Sequence, residues 1–162
     1  MTLYMGMTIG YSLGVSPIES PGGSMPAASG RSCGPCTLCC QVLEIDEFDK
    51  PAGTLCKNCK LGGGCKIYKK RPEVCRDFEC EWLTERDVAV VLYPNRTGVL
   101  FMIDADSDEY LAVCDPKRPH LWRTPLVFRH LLAKAKEGHV VVAKAGTFAW
   151  RVYANGETAP WA

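Results

Sequence analysis

The chain has no apolar run near the roughly 20 residues that a membrane-spanning helix needs. Its apolar runs, such as Val88–Leu92 and Val140–Ala143, end within a few residues. Residues 1–30 contain no Lys or Arg, so the positively charged start of a secretory signal is missing. Gly, Ser and Pro break up the apolar residues there, and the segment reads as a disordered tail; Met25 is an alternative start. The expected location is cytoplasmic, a reducing compartment in which thiols stay free or bind metal. No strong charge of either sign is present: the formal net charge of the 162 residues is +1. Such a balance gives no global field to gather nucleic acid or an anionic membrane surface. Neither GxxxxGK[ST] nor GxGxxG occurs, so the phosphate-binding glycine loops are absent.

Against these absences stand ten cysteines, nine of them in the 48 residues from Cys33 to Cys80. The order is Cys33-x2-Cys36-x2-Cys39-Cys40, fifteen residues, Cys56-x2-Cys59-x5-Cys65, then Cys75 and Cys80. Two residues between cysteines let one tight turn aim both sulfurs at one ion. Two separated pairs with further cysteines nearby point to zinc or an iron–sulfur cluster. All nine are candidate metal ligands. His120, His130 and His139 all lie later, so sulfur alone would ligate. Neighbouring Cys39 and Cys40 diverge, which fits two separate metals or two bridged ones; spacing leaves the pairing open. The segment is also short of large apolar residues. A structural metal, at about 10–16 kcal/mol of apparent binding energy, would decide whether it folds. Lys57, Lys60, Lys66, Lys69, Lys70, Arg71 and Arg76 surround the ligands in sequence, and nearby cations favour thiolate. The glycines Gly62-Gly63-Gly64 permit tight wrapping between ligands.

The run Cys33-Gly34-Pro35-Cys36-Thr37-Leu38-Cys39-Cys40 resembles the CxxCxxCC opening of the YkgJ-type cysteine cluster family, described as zinc- or iron-chelating domains. Gly63-Gly64-Cys65-Lys66-Ile67-Tyr68 and Arg71-Pro72-Glu73-Val74-Cys75-Arg76-Asp77-Phe78-Glu79-Cys80-Glu81-Trp82-Leu83 resemble its second signature. The resemblance covers about residues 33 to 83. It implies a bound metal, mostly in bacterial proteins of undefined role. The family often places a His inside the middle pair, where this chain has Cys56-Lys57-Asn58-Cys59.

Three zones follow: a tail over about 1–30, a cysteine-rich metal-binding module over about 31–86, and an α+β layer over about 87–155 packed on it as one unit. In the module, Pro72 starts a short helix bearing Cys75. Phe78 and Trp82 share a helical face, and Arg76 and Asp77 orient ligands. In the third zone, Asp87–Tyr93 and Thr97–Ile103 read as strands flanking the turn Pro94-Asn95-Arg96, and Tyr110–Cys114 as a third strand. Thr124-Pro125 caps a helix with Phe128, Leu131, Leu132 and Ala135 on one face and Gly138 at its end. Val140–Ala143 and Phe148–Tyr153 flank Lys144–Thr147 as a hairpin. The expected layer is a small antiparallel sheet with one packed helix, a polar segment following it. Asp104-x-Asp106-x-Asp108 reads as an acidic hairpin turn rather than a calcium loop, because Glu109 replaces the glycine such a loop needs. Cys114 reads as a small core residue.

The expected function is a metal-binding protein with an all-cysteine zinc or iron site in a structural or scaffold role. Its partners would be the metal ion and an unidentified protein, with no membrane and no clear signal for nucleic acid. The alternatives are an iron–sulfur protein for electron transfer or redox sensing, and part of a methyltransferase-like enzyme, since related clusters occur in flagellin lysine methylases. Cys33-Gly34-Pro35-Cys36 also has the form of a redox tetrapeptide, but it lacks the strand that such a motif follows.

Overall fold

A computed structural model describes residues 30–161. The tail expected over 1–30 therefore lies, apart from Gly30, outside the described residues. The elements are short in the first half: helix α1 (Leu38–Val42), strands β1 (Cys59–Lys60) and β2 (Gly64–Cys65), and helices α2 (Glu73–Asp77), α3 (Glu81–Thr84) and α4 (Pro94–Thr97). Strands β3 (Val99–Ile103) and β4 (Tyr110–Cys114), helix α5 (Pro125–Lys136) and strands β5 (Val141–Ala145), β6 (Phe148–Val152) and β7 (Thr158–Pro160) follow. Among the described residues no helix is long and apolar enough to cross a membrane.

The second half is a five-stranded sheet in sequence order β3-β4-β5-β6-β7. It is mixed, not antiparallel as expected: β4 and β5 run parallel, Tyr110 opposite Val141 and Val113 opposite Lys144. The reason is the crossover. A helix that returns across a sheet face brings the chain back in the same direction, and α5 lies between these two strands. Phe101, Tyr110, Ala112, Val141, Ala143 and Val152 form the sheet face that packs against Val127 and Leu131 of α5 and against Trp122. Val127 and the buried Lys134 belong to the helix's inner side, while Leu132, expected there, is only half-buried. Thr124 stands at the N-cap, but its hydroxyl donates to the Leu121 carbonyl instead of capping the helix.

Two further expectations fail for local reasons. Asp87–Tyr93 is no strand: Val90–Leu92 form a 3-10 turn that leads into α4. Its burial has a period of four, not two, with Val88 and Leu92 inside while Val90 is 67% exposed. Helix α4 ends at Gly98 (φ +68), where a Cβ would stand 2.5 Å from Leu121. The polar end also adds a strand: β7 pairs with β6 and closes the sheet as an edge, where Pro160 is tolerated. The β5–β6 hairpin forms as expected; β5 runs on to Ala145, β6 stops at Val152, and only Gly146 and Thr147 remain in the turn. Gly146 supplies its positive φ of 61°. The acidic turn joins β3 to β4: Asp104 Oδ1 accepts the Asp106 and Ser107 N–H groups at 3.0 and 3.1 Å.

The cysteine module wraps around β3, the sheet's other edge. On the face away from α5, Leu38 and Val42 of α1 pack on Leu100. On the α5 face, Trp82 and Leu83 of α3 join the main core. Phe78 and Trp82 thus end up in different clusters and do not share a helical face. The chain extends at Phe78 (ψ 121°) and Cys80 (ψ 155°), which breaks one expected helix into α2 and α3. Pro72 does precede α2, and the Cys75 N–H donates to its carbonyl at 3.1 Å. Arg31 stacks on Trp82 at 5.0 Å and donates to the Trp82 carbonyl at 2.7 Å. Covering a free edge this way removes an unpaired strand from solvent.

Candidate metal centre

Each cysteine is carried by a short element. Cys33 and Cys36 flank a tight turn in which the Cys36 N–H donates to the Cys33 carbonyl at 2.9 Å. Cys56 and Cys59 repeat it at 2.9 Å. These are the turns that the two-residue spacings require. Cys39 and Cys40 sit on α1, Cys75 on α2, and Cys80 at the N-cap of α3. Cys59 and Cys65 face each other across the β1–β2 ribbon, whose loop holds Gly62 and Gly63. Gly62 (φ +68) and Gly64 (φ +80) let the ribbon turn tightly between the two sulfurs. The Cys56 N–H donates to the Cys40 carbonyl at 2.9 Å, tying the second half of the module to α1.

These elements surround one cavity of about 400 Å³. Cys33, Cys36, Cys40, Cys56, Cys59, Cys65 and Cys75 all lie on its wall. Cys39 lines a smaller adjoining cavity of about 60 Å³, shared with Cys40 and Cys75. Cys80 packs at the junction of the two apolar clusters that flank β3. Cys114, the tenth, is buried in β4 among core side chains. All ten are free thiols. Among the described residues, no three Cys, His, Asp or Glu side chains stand close enough to hold an ion as placed. The sulfurs line a space; they do not yet converge on a point.

Burial sets the chemistry of these thiols. It raises Cys33, Cys36 and Cys75 and pushes Cys59 and Cys80 up to about 11. Cys40 is raised first by its contact with the Cys39 side chain and then by burial. For Cys33 and Cys36 the shift is opposite to that of an activated redox dithiol. A thiophilic ion bound among these raised thiols would displace their protons.

Two basic side chains reach the cluster. Arg71, one of the seven cations noted in the sequence, lines the cavity, stacks on Tyr68 at 4.1 Å and lies within electrostatic range of Cys33. Lys50 was not singled out by spacing, yet it is only 6% exposed. Its ammonium donates to the carbonyls of Leu43 and Pro51. Burial lowers its pKa, while Cys56, Cys40 and Cys39 oppose that shift. A buried ammonium is costly unless negative charge faces it. Arg76 and Asp77 are exposed, and Arg76 donates to the Arg71 carbonyl at 3.3 Å. The Tyr93 hydroxyl, a contact no spacing foretells, donates to the Cys33 carbonyl at 2.6 Å.

The donor set fits a thiophilic ion: nine free sulfurs within one module, seven on one wall, and a buried cation within electrostatic range of three of the nine. Compared with protein-family models, curated proteins and solved structures, the chain matches none.

Proposed function

We propose that this chain binds zinc or iron through the cysteines of residues 33–80, and that the ion holds the module closed around the sheet edge. The carrying observation is the shared cavity, on which cysteines from four separate stretches meet. The module's interior is otherwise thin. Ile45, Cys56 and Cys59 are the buried members of its inner cluster, and two of those three are cysteines. Sulfur–metal bonds would supply cohesion that side-chain packing there does not. Lys50 supports the same reading, because thiolates held by a divalent ion keep a net negative charge that its ammonium offsets. The role that follows is structural: a cytoplasmic scaffold whose surface a protein partner recognises. The resemblance to the YkgJ-type cluster family agrees with metal binding and leaves the metal open.

Elemental analysis with a UV–visible spectrum on anaerobically purified full-length protein tests this. Zinc gives a colourless protein, whereas an iron–sulfur centre gives a brown one with sulfur-to-iron charge-transfer bands. Folded protein that contains neither metal and takes up neither would refute the proposal.

A further inference from the structure

We infer that Lys50 is a specificity-determining residue of the metal centre: a fixed counter-charge that suits the cavity to an ion held in a net anionic thiolate shell, so that metal loading and the burial of this one lysine favour each other. This rests on the metal-binding function proposed above and adds to it a residue that acts by charge and not as a ligand.

The backbone fixes where Lys50 sits. The Ile45 N–H donates to the Lys50 carbonyl at 2.9 Å, and the Lys50 N–H donates back to the Ile45 carbonyl at 3.1 Å. Ile45 packs with Cys56 and Cys59, and Cys40 and Cys75 pack against that group. The lysine is thus anchored on the residue around which these cysteines gather. Its side chain turns inward and is 6% exposed. The ammonium donates to the carbonyls of Leu43, the C-cap residue of α1, and of Pro51. Among the described residues no carboxylate stands within ion-pair distance of it; the ion pairs present join other groups. Acidic neighbours are plentiful in sequence, but Glu44, Asp46, Glu47 and Asp49 are all exposed.

Packing alone does not call for a charge at this position, because a buried ammonium without a counter-charge is destabilising. The groups within electrostatic range are Cys56, Cys40, Cys39 and the exposed Glu44. At neutral pH an ordinary thiol is mostly protonated and uncharged. Before an ion binds, two carbonyls are all that the ammonium meets at hydrogen-bond distance. A bound ion replaces thiol protons and leaves thiolate charge, which the same ammonium then stabilises. Linkage makes the effect mutual: what Lys50 adds to ion affinity, the ion returns to the folded state that buries Lys50. Arg71 also lines the cavity, but it is half-buried and stacked on Tyr68, where solvent screens it more.

The test is the Zn2+ affinity of the full chain, freed of metal and titrated anaerobically against a chromophoric chelator. Lys50→Met keeps the length without the charge and should bind Zn2+ about tenfold or more weakly. Lys50→Arg keeps the charge and should recover most of that loss. Lys50→Gln keeps an N–H donor for the carbonyls but no charge, and should weaken binding as Lys50→Met does. Urea midpoints of the metal-free proteins separate charge from packing: Lys50→Met should be no less stable than wild type, since it removes an unmatched buried charge. Wild-type affinity in either neutral variant overturns the inference, and so does equal weakening in Lys50→Arg. A metal-free stability loss in both neutral variants that accounts for the whole drop assigns Lys50 to packing and overturns it as well. Wild type that takes up no Zn2+ also overturns it; the metal-binding reading itself falls only if the purified protein contains neither zinc nor iron.

Discussion

His130 is a residue whose chemistry neither metal nor motif explains. It lies on α5, its ring edge-on to Phe101 at 4.9 Å, with Nε2 2.7 Å from the Tyr110 hydroxyl. Burial, with Lys134 adding to it, lowers its pKa to about 4; Glu137 and Asp87 act weakly the other way. An unfolded histidine titrates near 6.5. Between these values the unfolded chain binds more protons, so stability rises with pH there. The contribution is complete above about pH 6.5 and is lost as pH falls toward 4. Urea midpoints measured at pH 7, 6 and 5 should therefore decline. His130→Gln, which keeps a polar group for Tyr110 but does not titrate, should show a shallower decline. An equal slope in both proteins would assign the acid sensitivity elsewhere.

At the level of elements, α5 docks on the sheet through Val127 and Leu131, and Leu131 is fully buried there. Leu131→Ala should cost about 2–5 kcal/mol, depending on how far the site collapses. Chemical denaturation would measure it, and a loss under about 1 kcal/mol would mean that the helix is less tightly docked than its burial implies. This helix was legible in the sequence because Pro125, the 3.6-residue periodicity and Gly138 all agree. Tyr110–Cys114 and the β5–β6 hairpin were legible for a similar reason, with β-branched runs bounded by turn residues. Asp87–Tyr93 was not. A valine-rich run resembles a strand, and only the tertiary environment shows that Val88 and Leu92 point inward while Val90 points to water. Nor could the sequence reveal the parallel β4–β5 pairing, which depends on α5 lying back across the sheet, or β7, a three-residue edge strand ending in proline. In the candidate site, the tight two-residue spacings predicted both turns. The spacings could not predict Lys50, a lysine in the long gap between cysteine groups that folding buries within electrostatic range of Cys39, Cys40 and Cys56.

Across the whole molecule, two kinds of cohesion meet at β3. The sheet and α5 form an ordinary apolar core containing Phe101, Tyr110, Trp122 and Leu131, all nearly inaccessible to water. The module has only a small interior of its own and leans on that core through Leu38, Val42 and Trp82. If an ion supplies the rest, removing it should not melt the molecule uniformly. Chelation should open the loops from Cys56 to Cys75 first, because they are the stretch furthest from the sheet in packing. Amides of β4 and β5, at the centre of the sheet, should stay protected. Protection in α1 and β3 should fall to an intermediate degree, since Leu100 would keep its sheet neighbours but lose ordered Leu38 and Val42 above it. Hydrogen exchange read by mass spectrometry, before and after anaerobic chelation, resolves these three tiers. Uniform loss of protection would mean that sheet and module fold as a single cooperative unit. Unchanged protection in residues 56–75 would mean that those loops stand without metal, and that the cysteines contribute through packing alone.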